Sequence, residues 1–155
     1  MSERLSLEDL RVDHADEMVD VLASPELYAI TGGTPPTIDD LRRRYELQVA
    51  GPGRTDEEWR NWIVRVDGRA VGFVQATVTG TAATLAWLIG VRWQGRGHAK
   101  AAVADVCDLL REQGIDRFDA WIAPGHVASE RVAASAGLRR TDQTDDDGEV
   151  RWKTP

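Results

Sequence analysis

The run Leu88-Ile89-Gly90-Val91-Arg92-Trp93-Gln94-Gly95-Arg96-Gly97-His98-Ala99-Lys100 carries the clearest chemical signal in this sequence. An apolar, strand-like stretch passes through a short loop with two glycines, and helical spacing of apolar residues begins directly after it. The first N–H groups of a helix have no intrahelical acceptor and sit at the positive end of its dipole, so an anion placed there gains several hydrogen bonds at once. Gly95 and Gly97 let the backbone approach such a group closely, and Arg92, Arg96, His98 and Lys100 make the stretch basic. The pattern fits a phosphate-bearing ligand. It also fits a plain strand-to-helix turn with ordinary glycines, and spacing alone leaves both readings open. The Gly-Lys-Ser/Thr ending of a nucleoside-triphosphate loop is absent, as is the three-glycine dinucleotide fingerprint.

Other residues with chemical potential are scattered. Cys107 lies beside the apolar stripe of the following helix and reads as a small core residue. His14 and His98 stand at no metal-ligand spacing from a cysteine or carboxylate pair, so no metal is expected. Asp142 to Glu149 holds five carboxylates without the residue order of a calcium loop, and reads as a solvated hairpin turn. Glu57, Glu58 and Asp119 are candidate bases by rough placement only, each reading more readily as a solvated charge. Trp62 and Trp121 are candidates to line an acceptor pocket, although large aromatics on strands more often belong to a core.

The elements that must position these groups follow from periodicity. Leu5 to Leu10 reads as a first strand, after which Asp13 is placed to cap a helix with Ala15, Met18, Val19 and Leu22 on its apolar face, ending near Ser24-Pro25. Thr37, with Asp40 three residues on, opens a second helix whose face carries Ile38, Leu41, Tyr45 and Val49, and Gly51-Pro52-Gly53 stops it. Between the two, Thr31 to Pro36 is too rich in glycine and proline for regular structure. Period two then appears: Trp62, Val64 and Val66 on one face, the Asp67-Gly68 turn, and Val71, Phe73 and Gln75 on the next strand. A third strand from Thr81 to Val91 completes an antiparallel meander. Ala102, Val103, Val106, Leu109 and Leu110 mark a helix ending at Gly114, followed by a strand at Phe118–Ile122, a short helix from about Val127 to Ala136, and a final hairpin around Asp147-Gly148. The fold class is mixed α/β: a largely antiparallel central sheet with helices on both faces.

At 155 residues with 42% hydrophobic content the chain is expected to form one domain, residues 1–155. A net charge of −7 disfavours nucleic acid as a partner and gives weak support to a cationic amine as substrate. One cysteine permits no internal disulfide, and no apolar run approaches the ~20 residues that cross a bilayer. Met1-Ser2-Glu3-Arg4-Leu5 lacks the charged-then-apolar order of a secretory signal, so a cytoplasmic protein is expected.

Gln94, Gly97 and Ala99 match the Gln/Arg-x-x-Gly-x-Gly/Ala pattern of the GNAT superfamily, and His126-Val127-Ala128-Ser129-Glu130-Arg131-Val132-Ala133-Ala134-Ser135-Ala136-Gly137-Leu138 is similar to that family's Asn-x-x-Ser-x-x-(apolar)-Ala-x-x-x-Gly-Phe segment. The element order agrees as well. The chain therefore resembles coenzyme A-dependent N-acyltransferases, with the flavour of the subgroup related to ribosomal-protein N-terminal acetyltransferases. The resemblance implies acetyl-CoA as co-substrate, its pyrophosphate wrapped by backbone amides of Gln94, Gly95, Arg96, Gly97, His98, Ala99 and Lys100. Ile89, Val91, His126 and Ser129 would lie along the rest of the cofactor. It further implies a backbone oxyanion donor near Ile89 and Gly90, where the fourth strand splays. The acceptor would be a small-molecule or peptide amine.

Three departures bear on mechanism. His126 stands where Asn is usual, and reads either as a group contacting cofactor or substrate or as a plain helix-start residue. Ala133 stands where many members carry a Tyr that protonates the departing thiolate, which leaves Ser129 as the candidate hydrogen-bond donor to sulfur. Thr84 aligns where the subgroup often carries a Glu base. An acyl-CoA-binding sensor without turnover is therefore the alternative, and the acceptor, the acyl preference and the oligomeric state stay open, a homodimer being compatible with the sequence.

Overall fold

Residues 4–30 and 32–155 are described by the computed structural model; Met1 to Glu3, and Thr31 of the expected loop, lie outside the described residues. In chain order the elements are β1 (Leu5–Asp9), α1 (Ala15–Val21), α2 (Ile38–Ala50), β2 (Glu58–Val66), β3 (Arg69–Thr79), β4 (Ala82–Ile89), α3 (His98–Glu112), β5 (Arg117–Ile122), α4 (Val127–Ser135), β6 (Arg139–Thr144) and β7 (Val150–Lys153). They form one seven-stranded sheet in the order β1-β2-β3-β4-β5-β7-β6. Every pairing is antiparallel except that of β4 with β5.

Local chemistry explains most boundaries. The Thr37 hydroxyl accepts from the Asp40 N–H at 3.1 Å and starts α2, and Asp67 and Gly68 both adopt positive φ in the two-residue turn between β2 and β3. The start of α1 differs from expectation. Asp13 caps nothing; it accepts from the Arg11 side chain, and a 3-10 turn over Val12–His14 leads into the helix. His14 is buried, its Nδ1 accepting from the Arg11 N–H at 2.8 Å while Nε2 contacts Glu8. Val49 is also corrected: it is exposed, because α2 packs through Leu41 and Tyr45 only.

The sheet separates two apolar clusters. On one face, Ala102, Val103, Val106, Cys107 and Leu110 of α3 and Val132 and Ala133 of α4 pack on Trp62, Val64, Val74, Leu85, Phe118 and Ala120. Each fully buried Val or Leu there contributes about 1.5–3 kcal/mol. On the other face, Met18, Val21 and Leu22 of α1 and Leu41 and Tyr45 of α2 pack on Ile63 and Ala70. A register shift at Val64/Arg65 leaves Val71 as an extra residue in β3, so Val71 joins the α3 face while Phe73 packs on the α1/α2 face. The single alternation expected for Val71, Phe73 and Gln75 is broken at that bulge.

Beside it, β3 and β4 approach unusually closely. A Cβ on Gly72 would stand 2.1 Å from the Leu88 carbonyl oxygen. Only glycine fits there.

Candidate active site

β4 and β5 run parallel but are paired only at Ala82–Arg117, Ala83–Phe118 and Thr84–Asp119. Beyond that rung they separate. Which backbone groups this exposes follows from strand geometry. The Gly90 N–H donates to the Val71 carbonyl at 2.8 Å, and the Arg117 N–H donates to the Thr81 carbonyl at 3.2 Å. Even-numbered residues of β4 therefore turn their backbone groups toward β3, and odd-numbered ones toward β5. The Leu85 N–H closes the last rung, and Trp87 and Ile89 thus present N–H and C=O groups to a gap that β5 does not fill.

This geometry divides the two residues named for the oxyanion. The Gly90 N–H is committed to the sheet, and Gly90 is a packing residue, its missing Cβ leaving room for the Trp93 ring, 2.9 Å from where that atom would stand. The Ile89 N–H faces the gap. The Ile89 carbonyl accepts from Gln94 Nε2 at 2.8 Å, so the Gln94 side chain staples the loop to the strand end. Val91 begins a 3-10 turn, and its carbonyl accepts from the Gln94 N–H at 3.3 Å.

Because β4 and β5 are parallel, their C-terminal tips lie at the same end of the sheet, and α3 and α4 each begin there. α3 starts after Gly97, which is left-handed at φ 82° and offers no side-chain cap. Apart from their own chain neighbours, no heavy atom of the described residues lies within 4 Å of where a Cβ of Gly95 or Gly97 would be. The first turn of α3, with Ala99 and Lys100, starts beside this open space without a side-chain cap for its N–H groups. Lys100 and Arg96 are exposed beside it, Arg92 stacks on Trp93 with 5.4 Å to the ring centroid, and the His98 ring is buried.

At the other tip, His126 is the N-cap of α4, and its Nδ1 accepts from the Ser129 N–H at 3.3 Å. The imidazole thus takes the capping role that an Asn side chain would take. The Ser129 hydroxyl makes no hydrogen bond to another described residue. Ala133, where a tyrosine acid was sought, is fully buried under the sheet.

The carboxylates named as bases are otherwise engaged. Asp119 accepts from the Thr84 hydroxyl and from Arg151 Nε at 2.7 Å. Glu57 accepts from the Trp59 indole, and Glu58 pairs with Arg60. Trp62 is buried in the core and also borders a narrow cleft under α2, whereas Trp121 is half-buried on the sheet face shared with Asp119. Burial pushes the Cys107 thiol up to about 11, which fits a core residue. No group of histidines, cysteines and carboxylates suited to a metal occurs among the described residues, and none of their helices is long and apolar enough to cross a membrane.

A family model described as an acetyltransferase (GNAT) domain matches residues 4–139. The chain belongs to the GNAT acetyltransferase family. No curated protein matches it. Among solved structures, this GNAT chain is similar to the aminoglycoside acetyltransferase AAC(6')-Ib in complex with coenzyme A, at 17% identity and TM-score 0.80, covering 97% of this chain and 94% of that one. It is similar to an acetyltransferase from Thermus thermophilus, at 22% identity and TM-score 0.82, covering 97% and 96%. It is also similar to RimL, a ribosomal alpha-N-protein acetyltransferase in complex with coenzyme A, at 12% identity and TM-score 0.81, covering 98% and 94%. Identities this low establish the shared fold; the family match establishes acyl transfer as the class of reaction.

Proposed function

We propose that this GNAT domain transfers an acetyl group from acetyl-CoA to a primary amine by direct attack within a ternary complex. The observation that carries the reading is the gap itself: it opens beside the unpaired edge of β4 at the same end of the sheet as the uncapped start of α3. The open cradle at Gly95 and Gly97 fits a pyrophosphate, held by the α3 first-turn amides with Lys100 and Arg96 nearby. Bound there, the co-substrate supplies an activated thioester.

The chain's own contribution is positioning. The Ile89 N–H, fixed by the β4 backbone and the Gln94 staple, is aimed to donate to the oxygen on which negative charge develops. The amine must be neutral when it attacks, so its proton passes to solvent or to a bound water. The departing thiolate needs little protonation, since free thiols have a pKa near ~8.5, and the Ser129 hydroxyl is the group at the α4 tip available to hydrogen-bond it. The alternative of a sensor without turnover draws on Ala133 and on the engagement of Asp119.

Gly97→Glu tests the cofactor site, because it sets a carboxylate where the phosphates would sit. Calorimetry on the folded variant is expected to read at least a tenfold loss of acetyl-CoA affinity. Unchanged affinity would place the cofactor elsewhere. Release of free thiol from acetyl-CoA with an amine panel separates enzyme from sensor.

A further inference from the structure

The turn that leads from β4 toward α3 is closed on itself by hydrogen bonds. The Trp93 N–H donates to the Gly90 carbonyl at 2.9 Å, the Gln94 N–H to the Val91 carbonyl at 3.3 Å, and Gln94 Nε2 to the Ile89 carbonyl at 2.8 Å. Those bonds fix the shape of the turn. Its placement against the rest of the molecule rests on the Gly90 N–H, bonded to Val71 of β3, and on the side chain of Trp93. That indole is half-buried and packs against both apolar clusters, the one on the α3/α4 face and the one on the α1/α2 face.

Gly90 makes the room. Its backbone, at φ −58° and ψ 147°, is one that any residue adopts, so a glycine is not required there for conformation. It is required for space. A Cβ on Gly90 would stand 2.9 Å from Cε3 and Cζ3 of Trp93 and 3.0 Å from Cγ1 of Val21 in α1. The indole is therefore wedged over the end of β4 and against α1, with the Arg92 guanidinium 5.4 Å from a ring centroid. A side chain of that size held between two packed layers has few other positions open to it.

This turn joins the two groups assigned to the coenzyme, the Ile89 N–H at the strand end and the start of α3 after Gly97. Their relative placement decides whether a carbonyl held from the α3 end meets the Ile89 donor, and a misplacement of about 1 Å in such a relation costs on the order of a hundredfold in rate. We propose that Trp93 is a positioning residue for acetyl transfer: its indole, wedged between Gly90 and the two apolar clusters, holds the turn so that the Ile89 N–H stays aimed at the thioester carbonyl oxygen. The proposal rests on the acetyl-transfer reading, and Trp93 itself touches no reacting atom.

The test is infrared difference spectroscopy of acetyl-CoA labelled with carbon-13 at the thioester carbonyl, bound to the parent, Trp93→Phe, Trp93→Ala and Gly90→Ala. Calorimetry with coenzyme A accompanies it and needs no amine acceptor. In the parent the bound carbonyl band is expected below that of free acetyl-CoA, because a hydrogen bond from the Ile89 N–H weakens the C=O bond. Trp93→Phe should keep most of that shift, whereas Trp93→Ala should lose about half of it or more while binding coenzyme A within about fivefold of the parent. Gly90→Ala retains the N–H to Val71 but displaces the ring, so it should lose the shift as well, and it carries the test if Trp93→Ala does not fold. With an amine acceptor, kcat of Trp93→Ala should fall about thirty- to a hundredfold and recover in Trp93→Phe. A shift in folded Trp93→Ala or Gly90→Ala equal to that of the parent overturns the proposal and leaves the acetyl-transfer reading standing. Coenzyme A affinity lost along with the shift would make Trp93 a support of the cofactor loop and also overturns it. A parent that binds acetyl-CoA with no shift of the band overturns the Ile89 assignment together with this proposal.

Discussion

Thr84 and Asp119 face each other on the last paired rung between β4 and β5, and the threonine hydroxyl donates to the aspartate Oδ1 at 2.5 Å. Arg151 of β7 donates to the second carboxylate oxygen, so one side chain ties three strands together where two of them part. Thr84 is five residues before Ile89, roughly 16 Å along the strand, which puts this carboxylate out of reach of chemistry at the Ile89 amide.

Asp119 is thus expected to matter for stability before chemistry. Asp119→Ala should lower unfolding free energy by about 1–2 kcal/mol, since Thr84 and Arg151 both lose a partner. Asp119→Asn, which keeps the shape and the Thr84 bond, should hold kcat within about tenfold and leave its pH profile unmoved. Urea unfolding and steady-state kinetics check both; a kcat loss beyond a thousandfold in a stable Asp119→Asn would make the carboxylate a catalytic group.

Gly72→Ala is expected to be among the most damaging single-methyl additions in the chain. The new Cβ would overlap the Leu88 carbonyl oxygen at 2.1 Å, and backbone on both strands would have to move. A loss of about 2–4 kcal/mol is expected, read as a lower midpoint in urea. A variant as stable as the parent would mean that β3 and β4 do not approach as closely as described.

At the α4 tip, structure and chemistry separate by substitution. His126→Asn keeps a side-chain acceptor for the Ser129 N–H and should preserve stability and turnover, whereas His126→Ala should cost about 1 kcal/mol for the lost cap. Ser129→Ala should lower single-turnover acetyl transfer by about tenfold or less, as suits one lost hydrogen bond to a developing anion. A thousandfold loss with intact acetyl-CoA affinity would make Ser129 a principal catalytic group.

Glu8 sets a limit on acid stability. Hydrogen bonds from Arg65, then His14, then Arg11 hold its carboxyl at about 2, below the usual 4.5, and Glu17 is lowered by the same arginine. A carboxylate with a depressed folded-state pKa adds stability that is fully present above about 4.5 and disappears as pH falls toward 2. Melting temperature followed from pH 5 to 2 should fall less steeply in Glu8→Gln than in the parent. Parallel curves would show that Glu8 does not couple folding to protons.

Element order was legible because punctuation was local: Thr37 at a helix start, Gly114 and Gly137 at helix ends, Asp67-Gly68 in a turn. Strand order was not, since β7 inserts between β5 and β6 through pairings that no short window contains. The bulge at Val71 depends on where β2 slips against β3, and it reversed the facing of Phe73 relative to an unbroken alternation.

For the site, Gln94 to Lys100 could be singled out because loop, glycines and helix start are contiguous. The distinction between Ile89 and Gly90 required knowing that Val71 takes the Gly90 N–H.

The starts of α2, α3 and α4 differ in one respect with a consequence for how the folded state is held. α2 and α4 complete their own first turns with Thr37 and His126, while α3 begins at a residue with no side chain to do so. The missing acceptor must come from a partner molecule or from water. If the partner is the coenzyme, the metabolite is a structural part of α3 as well as a reactant, and folding and coenzyme occupancy are linked through mass action. The concentration of free coenzyme relative to its dissociation constant would then add to the stability of the fold, and scarcity of coenzyme would lower the folded population as well as the flux.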